Sequence, residues 1–269
     1  MGILNATPDS FSDGGRFDAC KTAIARAATM IREGADIVDI GGESTRPGAM
    51  PVDAEEEMRR VLPVIERVAA GHTIPVSIDT YKAQTADRAL AAGARLVNDV
   101  WGLQRDPEMA RVVAAHGAMV VIMHNRESID PAIDIVEDMR RWFARSIELA
   151  HMAGIADTHI LLDPGIGFGK SLQQNLDAIA RVDQLRSFGY PIVMGTSRKS
   201  FIGQLTETTH DPNARLFGTI GSNVAAVMIG ADVIRVHDVR AHVEAMRVTD
   251  AIMRARHPLT STTTRPPPP

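Results

Sequence analysis

Short apolar runs alternate with longer segments of helical periodicity along this chain, and the alternation restricts the possible folds more than any other feature. Eight runs of four to six residues are mostly rich in Val and Ile and are bounded by Gly, Pro or Asp. Such runs are typical of parallel strands buried on both faces. The predicted strands cover residues 2–5, 36–41, 75–79, 95–98, 118–123, 159–163, 191–195 and 232–236.

The segments between these runs have the period of amphipathic helices. In 19–33 the apolar residues recur every three or four positions, and Gly34 is predicted to end the helix. Asp53 precedes Glu56 by three residues, as in a capping box, at the start of the next helix. Further helical patterns cover 82–92, 107–116, 134–153, 172–188, 214–229 and 239–255.

Eight strands, each followed by a helix, predict an α/β protein with a (β/α)8 TIM barrel, formed as a single domain by residues 1–256. A doubly wound open sheet is the alternative, but it would usually have fewer strands and a phosphate-binding loop after the first. The segment 257–269 is rich in Pro and Thr and has no apolar periodicity, so it is predicted to be a disordered tail.

Composition excludes several classes of protein. A net charge of −4 and a pI near 6.1 provide no basic surface for nucleic acid. No apolar run approaches the length of about eighteen residues that a membrane span requires. Cys20 is the only cysteine, which excludes an internal disulfide and a cysteine zinc cluster, so a reducing cytoplasm is the expected compartment.

Polar residues follow most of the predicted strands, at the end where barrels of this kind place their catalytic groups. Several of them lie inside or directly after apolar runs, where an unpaired polar group is costly. For Asp99 and Ser197, capping of the following helix is an equally good interpretation. The polar residues at strand ends are Asn5, Glu43, Ser44, Thr45, Arg46, Asp79, Asn98, Asp99, His124, Asp163, Ser197, Arg198, Lys199, Arg235 and His237.

These residues offer two kinds of chemistry. The carboxylates of Asp79 and Asp163 and the amide of Asn98 suit a flat heterocycle with several N–H donors on one edge, such as a 2-amino-4-oxopyrimidine ring. Asn5 offers one oxygen to Mg²⁺, which often takes one or two protein ligands together with phosphate oxygens and water. A second group is predicted to form a cationic corner for a phosphate or diphosphate; its members are Arg46, Lys199, Arg235 and His237.

The glycine-rich segment 163–171 ends like a phosphate-binding loop but does not match one. Pro164 stands where that loop requires glycine, and Lys170 stands where a dinucleotide-binding motif requires it. The glycines are instead expected to let the backbone approach a flat ligand, which Phe168 would cover.

The loops after the first two strands, 6–15 and 41–51, are rich in small turn-forming residues. Such composition is typical of mobile lids over an active site, although ordinary surface turns have it too.

Taken in order, these motifs resemble those of the dihydropteroate synthase family. The matching stretches span residues 2 to about 255 and read NATPDSFSDGG (5–15), DIGGESTRPG (39–48), SIDT (77–80), ND (98–99), MH (123–124), DPGIGFGK (163–170), SRKS (197–200) and RVHD (235–238). The resemblance implies a transferase of folate biosynthesis. Such an enzyme condenses 6-hydroxymethyl-7,8-dihydropterin diphosphate with 4-aminobenzoate and releases 7,8-dihydropteroate and diphosphate.

The resemblance also implies roles for single residues. Asp79, Asp163 and Lys199 would be catalytic and, with Asn98 and Phe168, would bind the pterin. Asn5 would hold Mg²⁺, and family members are commonly homodimers packed through their last helices. The diphosphate would be bound by Asn5, Thr45, Arg46, Arg235 and His237, and the 4-aminobenzoate by Phe11, Pro47, Phe168 and Ser200.

Two other functions are compatible with the pterin-binding residues. A related barrel that passes a methyl group from methyltetrahydrofolate to a corrinoid would leave the cationic residues without a role. A non-catalytic paralogue that only binds pterin would not need Asn5, Lys199 or His237.

The chain also departs from the family pattern in two places. Family members usually carry residues before the first strand, so an upstream start or a loss of stability is expected. The stretch 125–128 is short and lacks the family's usual glycine, and His124 before it is expected to lie behind the residues that contact substrate.

Overall fold

The computed structural model describes residues 1–6, 16–43 and 50–256. Its eight parallel strands fall within the predicted runs, except that β4 extends one residue further. They are β1 (Gly2–Asn5), β2 (Val38–Gly41), β3 (Val76–Asp79), β4 (Leu96–Asp99), β5 (Met119–Met123), β6 (Ile160–Asp163), β7 (Val193–Met194) and β8 (Val233–Ile234).

The strands close into a barrel in the order of the sequence. Strands β1 to β6 form one parallel sheet, and β7 pairs with β8. A bridge between Leu162 and Ile192 joins β6 to β7, and a bridge between Gly2 and Val236 joins β8 back to β1. The amide of Ile3 donates to the Val236 carbonyl at 2.9 Å at that seam. The predicted (β/α)8 barrel is therefore confirmed.

The helices also follow the predicted order. They are α1 (Arg16–Arg32), α2 (Ala54–Gly71), α3 (Ala83–Ala91), α4 (Met109–Ala115), α5 (Ile135–Ala153), α6 (Leu172–Ala180), α7 (Ser200–Leu205), α8 (Leu216–Ile229) and α9 (Val239–Arg256). The predicted helix 172–188 is in fact α6 followed by a 3₁₀ segment, Val182–Phe188. Helix α7 is not predicted by the sequence, because six residues are too few to show a helical period.

Short side chains and caps fix the ends of several helices. Gly34 takes a left-handed φ of 99° two residues after the end of α1, as predicted. The Asp53 carboxylate accepts a hydrogen bond from the Glu56 amide at 2.7 Å and caps α2. The complete reciprocal capping box occurs instead on α6, between Ser171 and Gln174.

Alternation along the strands divides the apolar residues into two sets. The larger set packs the outer face of the strands against the helices. A smaller cluster lies on the opposite face and fills the inside of the barrel near the amino ends of the strands. Its buried members are Met1, Leu96, Val121, Leu161 and Val193. The inward positions at the carboxyl ends are left for polar side chains.

Within the described residues no helix is long and apolar enough to cross a membrane. The predicted tail, 257–269, and most of the two predicted lids, 7–15 and 44–49, lie outside those residues.

Candidate functional site

The centre of the site is the guanidinium of Arg235, which follows β8. Its Nε donates to Asp39 Oδ2 at 2.6 Å, and its Nη2 donates to Asp79 Oδ2 at 2.6 Å. The amide Nδ2 of Asn98 donates to the same Asp39 oxygen at 3.1 Å. Two of the predicted pterin residues, Asp79 and Asn98, are thus linked through Arg235 and Asp39.

Asp39 is a site residue that the sequence did not identify as one. It lies inside β2, two positions before the strand ends, and is completely buried. Asp39 could have been identified from the sequence, because it is a charged residue at an inward position of an apolar run and a buried charge requires a partner.

Asp163 ends β6 beside the glycine-rich loop and is buried. Its Oδ1 accepts from the Gly165 amide at 2.7 Å. The buried ammonium of Lys170 donates to the carbonyls of Gly165 at 2.8 Å and Phe168 at 3.1 Å. The loop is therefore held at both ends, by a carboxylate that binds its first amide and by an ammonium that binds two of its carbonyls.

Glycine is required at position 165 for two reasons. Its φ of 65° is left-handed, and a Cβ atom there would lie 1.9 Å from the His124 carbonyl oxygen. The loop therefore packs directly against the exit of β5, and the predicted approach of its backbone to a flat ligand stays a prediction.

Lys199 and Phe168 meet across neighbouring strand exits. The Lys199 Nζ lies 4.2 Å from the centroid of the Phe168 ring, a distance at which a cation and an aromatic face attract. Lys199 is the residue before α7, and the exposed Ser200 begins that helix. The predicted pterin and aminobenzoate residues of strands 6 and 7 are thus close together.

The described members of the predicted cationic corner make different contacts in this structure, and their binding of one anion stays a prediction. His237 Nδ1 lies 2.9 Å from Ser197 Oγ, whereas Arg235 binds carboxylates and Lys199 lies on an aromatic ring. Ser197 does not cap α7, because its hydroxyl accepts from the His237 amide at 3.1 Å. Arg235 and Lys199 nevertheless both act electrostatically on Asp79 and Asp163, and Arg46 lies outside the described residues.

Two further strand-end residues support the site from outside. Asp99 accepts from the amides of Trp101 and Leu103, so it closes the turn after β4 and caps no helix. His124 is fully buried and its Nε2 lies 3.2 Å from an Asp138 oxygen. Burial, with the nearby Lys170 charge, lowers the pKa of His124 to about 3, so the ring is neutral. This position agrees with the expectation that His124 lies behind the substrate-contacting residues.

Burial dominates the electrostatics of the inner carboxylates. It raises the pKa of Asp79 to about 7, against the opposing effect of Arg235, and it also raises the pKa of Asp163. Burial lowers the pKa of the Lys170 ammonium to about 7. Asp39 and Asp79 outweigh the effect of burial on Arg235 and hold its pKa above the ordinary value. The site therefore stabilises one buried cation and disfavours further isolated charge.

Asn5 ends β1 and is half-buried. Gly41 of β2 is the register partner of both Asn5 and Asp79. Because glycine has no side chain, no side chain of β2 separates Asn5 from Asp79. The described ranges contain no group of three His, Cys, Asp or Glu side chains that could hold a metal ion. Asn5 accordingly fits an ion such as Mg²⁺ that takes most of its ligands from phosphate oxygens and water. The predicted residues Phe11, Thr45, Arg46 and Pro47 lie outside the described ranges.

Comparisons with known proteins agree with this geometry. The family model described as pterin binding enzyme matches residues 1–237. The dihydropteroate synthase of Clostridium beijerinckii is 46% identical over 255 residues, which are 94% of this chain and 94% of that protein. A crystal structure of dihydropteroate synthase from Clostridium difficile in the presence of pteroic acid has a TM-score of 0.91 and 50% identity, covering 94% of this chain and 96% of that one. The enzyme of Xanthomonas albilineans with 4-aminobenzoic acid has a TM-score of 0.90 and 44% identity, covering 94% and 92%.

A Gly165→Ala substitution tests whether the loop depends on this backbone contact. We expect the free energy of unfolding to fall by about 2 kcal/mol or more, because a left-handed alanine costs about 1 kcal/mol and the clash with His124 adds to it. Gly117 is the matched control, since its φ is 59° but an added Cβ would meet no atom within 4 Å. Denaturant unfolding of both variants measures the difference, and equal losses would mean that the loop moves away without cost.

Proposed function

This chain belongs to the dihydropteroate synthase family of pterin-binding enzymes, and from that premise we propose that it condenses 6-hydroxymethyl-7,8-dihydropterin diphosphate with 4-aminobenzoate. The products are 7,8-dihydropteroate and diphosphate. The observation that carries the proposal is the set of buried acceptors around Arg235 at the carboxyl end of the barrel. The relatives seen with pteroic acid and with 4-aminobenzoic acid support the same pair of substrates.

The pterin ring is assigned to the inner carboxylates. Its 2-amino group and ring N–H face Asp163 and Asp79, and the amide of Asn98 completes the edge. Lys199 and Phe168 lie together at the neighbouring exits, with Nζ 4.2 Å from the ring centroid, and so are placed to cover a flat ligand. Buried acceptors of this kind reject rings that lack the matching donors, since an unpaired carboxylate would remain.

The diphosphate is assigned to Asn5, His237 and Arg235, with Thr45 and Arg46 from the second loop. Asn5 would hold Mg²⁺, which would supply positive charge to the departing diphosphate. The 4-aminobenzoate is assigned to Phe11, Pro47, Phe168 and Ser200, above the pterin.

In the proposed reaction the bond between the methylene carbon and the diphosphate oxygen breaks first, and the electron pair leaves with the diphosphate. Cationic side chains stabilise the charge that develops on that oxygen. Asp79 and Asp163, as acceptors at the pterin edge, stabilise the cation that remains on the ring. The aniline nitrogen then attacks the methylene carbon and loses a proton. No nucleophilic side chain is required, which makes this an SN1-like displacement.

Turnover with both substrates separates this proposal from its alternatives. A methyltransferase acting on methyltetrahydrofolate would not release diphosphate, and a non-catalytic pterin-binding paralogue would release none either. Release of diphosphate that depends on 4-aminobenzoate would support the condensation, and no release by the folded protein would contradict it.

Asp163→Asn tests the pterin assignment. We expect a loss of about 2–5 kcal/mol of pterin binding free energy, because the change leaves buried donors of the ligand without a charged acceptor. Asp99→Asn is the matched control, since Asp99 is a buried carboxyl at the end of β4, two strands away, and its side chain accepts from backbone amides. Calorimetry with both folded variants measures the difference, and unchanged affinity in Asp163→Asn would remove that residue from the site.

We also infer a homodimer packed through the last helices and a cytoplasmic location. Helix α8 presents an apolar stripe in which Phe217 is 84% exposed and Met228 is 46% exposed. Gly221 and Ala225, also exposed, lie between them and would allow a second helix to approach closely. The reducing compartment is consistent with a single cysteine, Cys20.

Ala225→Arg tests the dimer. A charged side chain in the middle of the stripe should prevent close helix packing, so the variant should be monomeric in light scattering at concentrations at which the wild type is a dimer. Met152→Arg places the same charge on the exposed face of α5 and serves as the control. A dimer that survives Ala225→Arg would place the interface elsewhere.

A further inference from the structure

The two carboxylates that bind Arg235 differ in their surroundings. Asp39 is completely buried, whereas the Asp79 side chain is 11% exposed at the end of its strand. In the register of β2 and β3, Asp39 is opposite Ser77 and Gly41 is opposite Asp79. Along the strand direction, Asp39 therefore lies two residues, about 6.6 Å, nearer the amino end than Asp79, and so deeper in the barrel.

The deeper carboxylate also makes more bonds at one oxygen. Asp39 Oδ2 accepts from Arg235 Nε at 2.6 Å and from Asn98 Nδ2, and Arg235 Nη2 lies 2.6 Å from it. Asp79 Oδ2 accepts from Arg235 through Nη2. Asp39 thus contacts the guanidinium through both Nε and Nη2, whereas Asp79 contacts it through Nη2.

The bond to Asp79 competes with the role assigned to that residue. A pterin N–H that donates to Asp79 shares the negative charge of a carboxylate that already accepts from the Arg235 guanidinium, so the two donors compete for it. Asp39 cannot take part in such an exchange with substrate, because its side chain has no exposed surface.

We propose that Asp39 is the permanent counter-ion of Arg235 and a positioning residue for pterin binding, and that the bond from Arg235 to Asp79 is the one exchanged when the pterin arrives. This inference rests on the proposed function, since it takes Asp79 to be a pterin acceptor. Asp39 keeps Arg235 neutralised and in place while Asp79 is released to the ligand. The other charged groups that act on Arg235 or Asp79 are Asp163, Glu57 and Lys199.

Asp39→Asn removes the charge but keeps an oxygen that can accept from Asn98. With Asp39 neutral, Arg235 has Asp79 as its nearest anion and holds it more tightly, so the pterin must break a stronger bond. We expect 6-hydroxymethyl-7,8-dihydropterin to bind about tenfold more weakly in calorimetry, which is within the range of coupling between residues of one ion-pair network. The Michaelis constant for the aminobenzoate substrate should stay within about twofold, because that substrate does not contact the pair.

Ser77→Ala is the matched control, because Ser77 is the buried neighbour of Asp39 in the same layer and its hydroxyl has no hydrogen-bond partner among the described residues. It should bind the pterin as the wild type does. Weaker binding by Ser77→Ala equal to that of Asp39→Asn would mean that any change in this layer disturbs the site, and the specific role of Asp39 would be wrong.

A double-variant cycle tests whether Asp39 acts through Arg235. In an Arg235→Gln background no guanidinium competes for Asp79, so adding Asp39→Asn should change pterin affinity by less than about threefold. The same tenfold loss in both backgrounds would show that Asp39 acts independently of Arg235 and would overturn the proposal.

A measurement on the wild-type enzyme tests the anchor even where the Asp39→Asn variant fails to fold. With ¹⁵N-labelled arginine, the Nε–H resonance of Arg235 is identified by its absence in Arg235→Lys, which keeps the charge. We expect this proton to exchange slowly with solvent in the free enzyme and to remain protected when pterin binds. An unprotected proton in the free enzyme, or loss of protection on binding, would overturn the proposal. Failure of the wild type to bind pterin would instead refute the proposed function, and the resonance of the free enzyme would still test the anchor.

Discussion

The arrangement of polar side chains inside the barrel, at the carboxyl ends of its strands, depends on the ion pairs of Arg235. A guanidinium and two carboxylates placed inside a closed sheet lose most of their hydration, and each such ion costs several kcal/mol unless its partners compensate. Here the fold supplies the partners, because β2, β3 and the end of β8 place the Arg235 guanidinium 2.6 Å from one oxygen of Asp39 and 2.6 Å from one oxygen of Asp79. Removing Arg235 would leave two buried carboxylates in the barrel without their shared cation. The carboxyl ends of these strands are therefore held by electrostatic pairing, whereas the amino ends are held by apolar packing.

The glycine-rich loop extends this pairing to the sixth strand. Asp163 binds the first amide of the loop, and Lys170 folds back onto its carbonyls, so the loop positions Phe168 beside Lys199. Gly165 allows the chain to pass within contact distance of the β5 exit. Acceptors, an aromatic face and a cation are thereby placed around one space by short elements that have little freedom of their own.

Much of this structure is predictable from the sequence, because the barrel repeats one simple pattern. Apolar runs mark the strands, and Asp79, Asn98 and Asp163 are conspicuous as polar residues at the ends of such runs. Asp39 escapes the same reasoning because it lies within its run, where only the inward or outward direction of alternate side chains reveals its position. Arg235 is grouped by sequence with the cations, although it lies among carboxylates. Pairing between strands that are 156 and 196 positions apart cannot be read from local pattern. Strands β7 and β8 are shorter than predicted, because the residues that flank them, Ile192 and Val236, join the neighbouring strands only through single bridges.

In the proposed reaction the inner carboxylates stabilise a pterin cation, so that bond cleavage precedes attack. The direct test is the secondary kinetic isotope effect when the exocyclic methylene of the pterin diphosphate carries deuterium in place of hydrogen, measured on kcat/KM with saturating 4-aminobenzoate. A carbon that has become trigonal in the transition state gives a clearly normal effect, with the deuterated substrate reacting more slowly, and this is the predicted result. An effect indistinguishable from unity would indicate concerted displacement by the aniline nitrogen and would contradict a cationic intermediate.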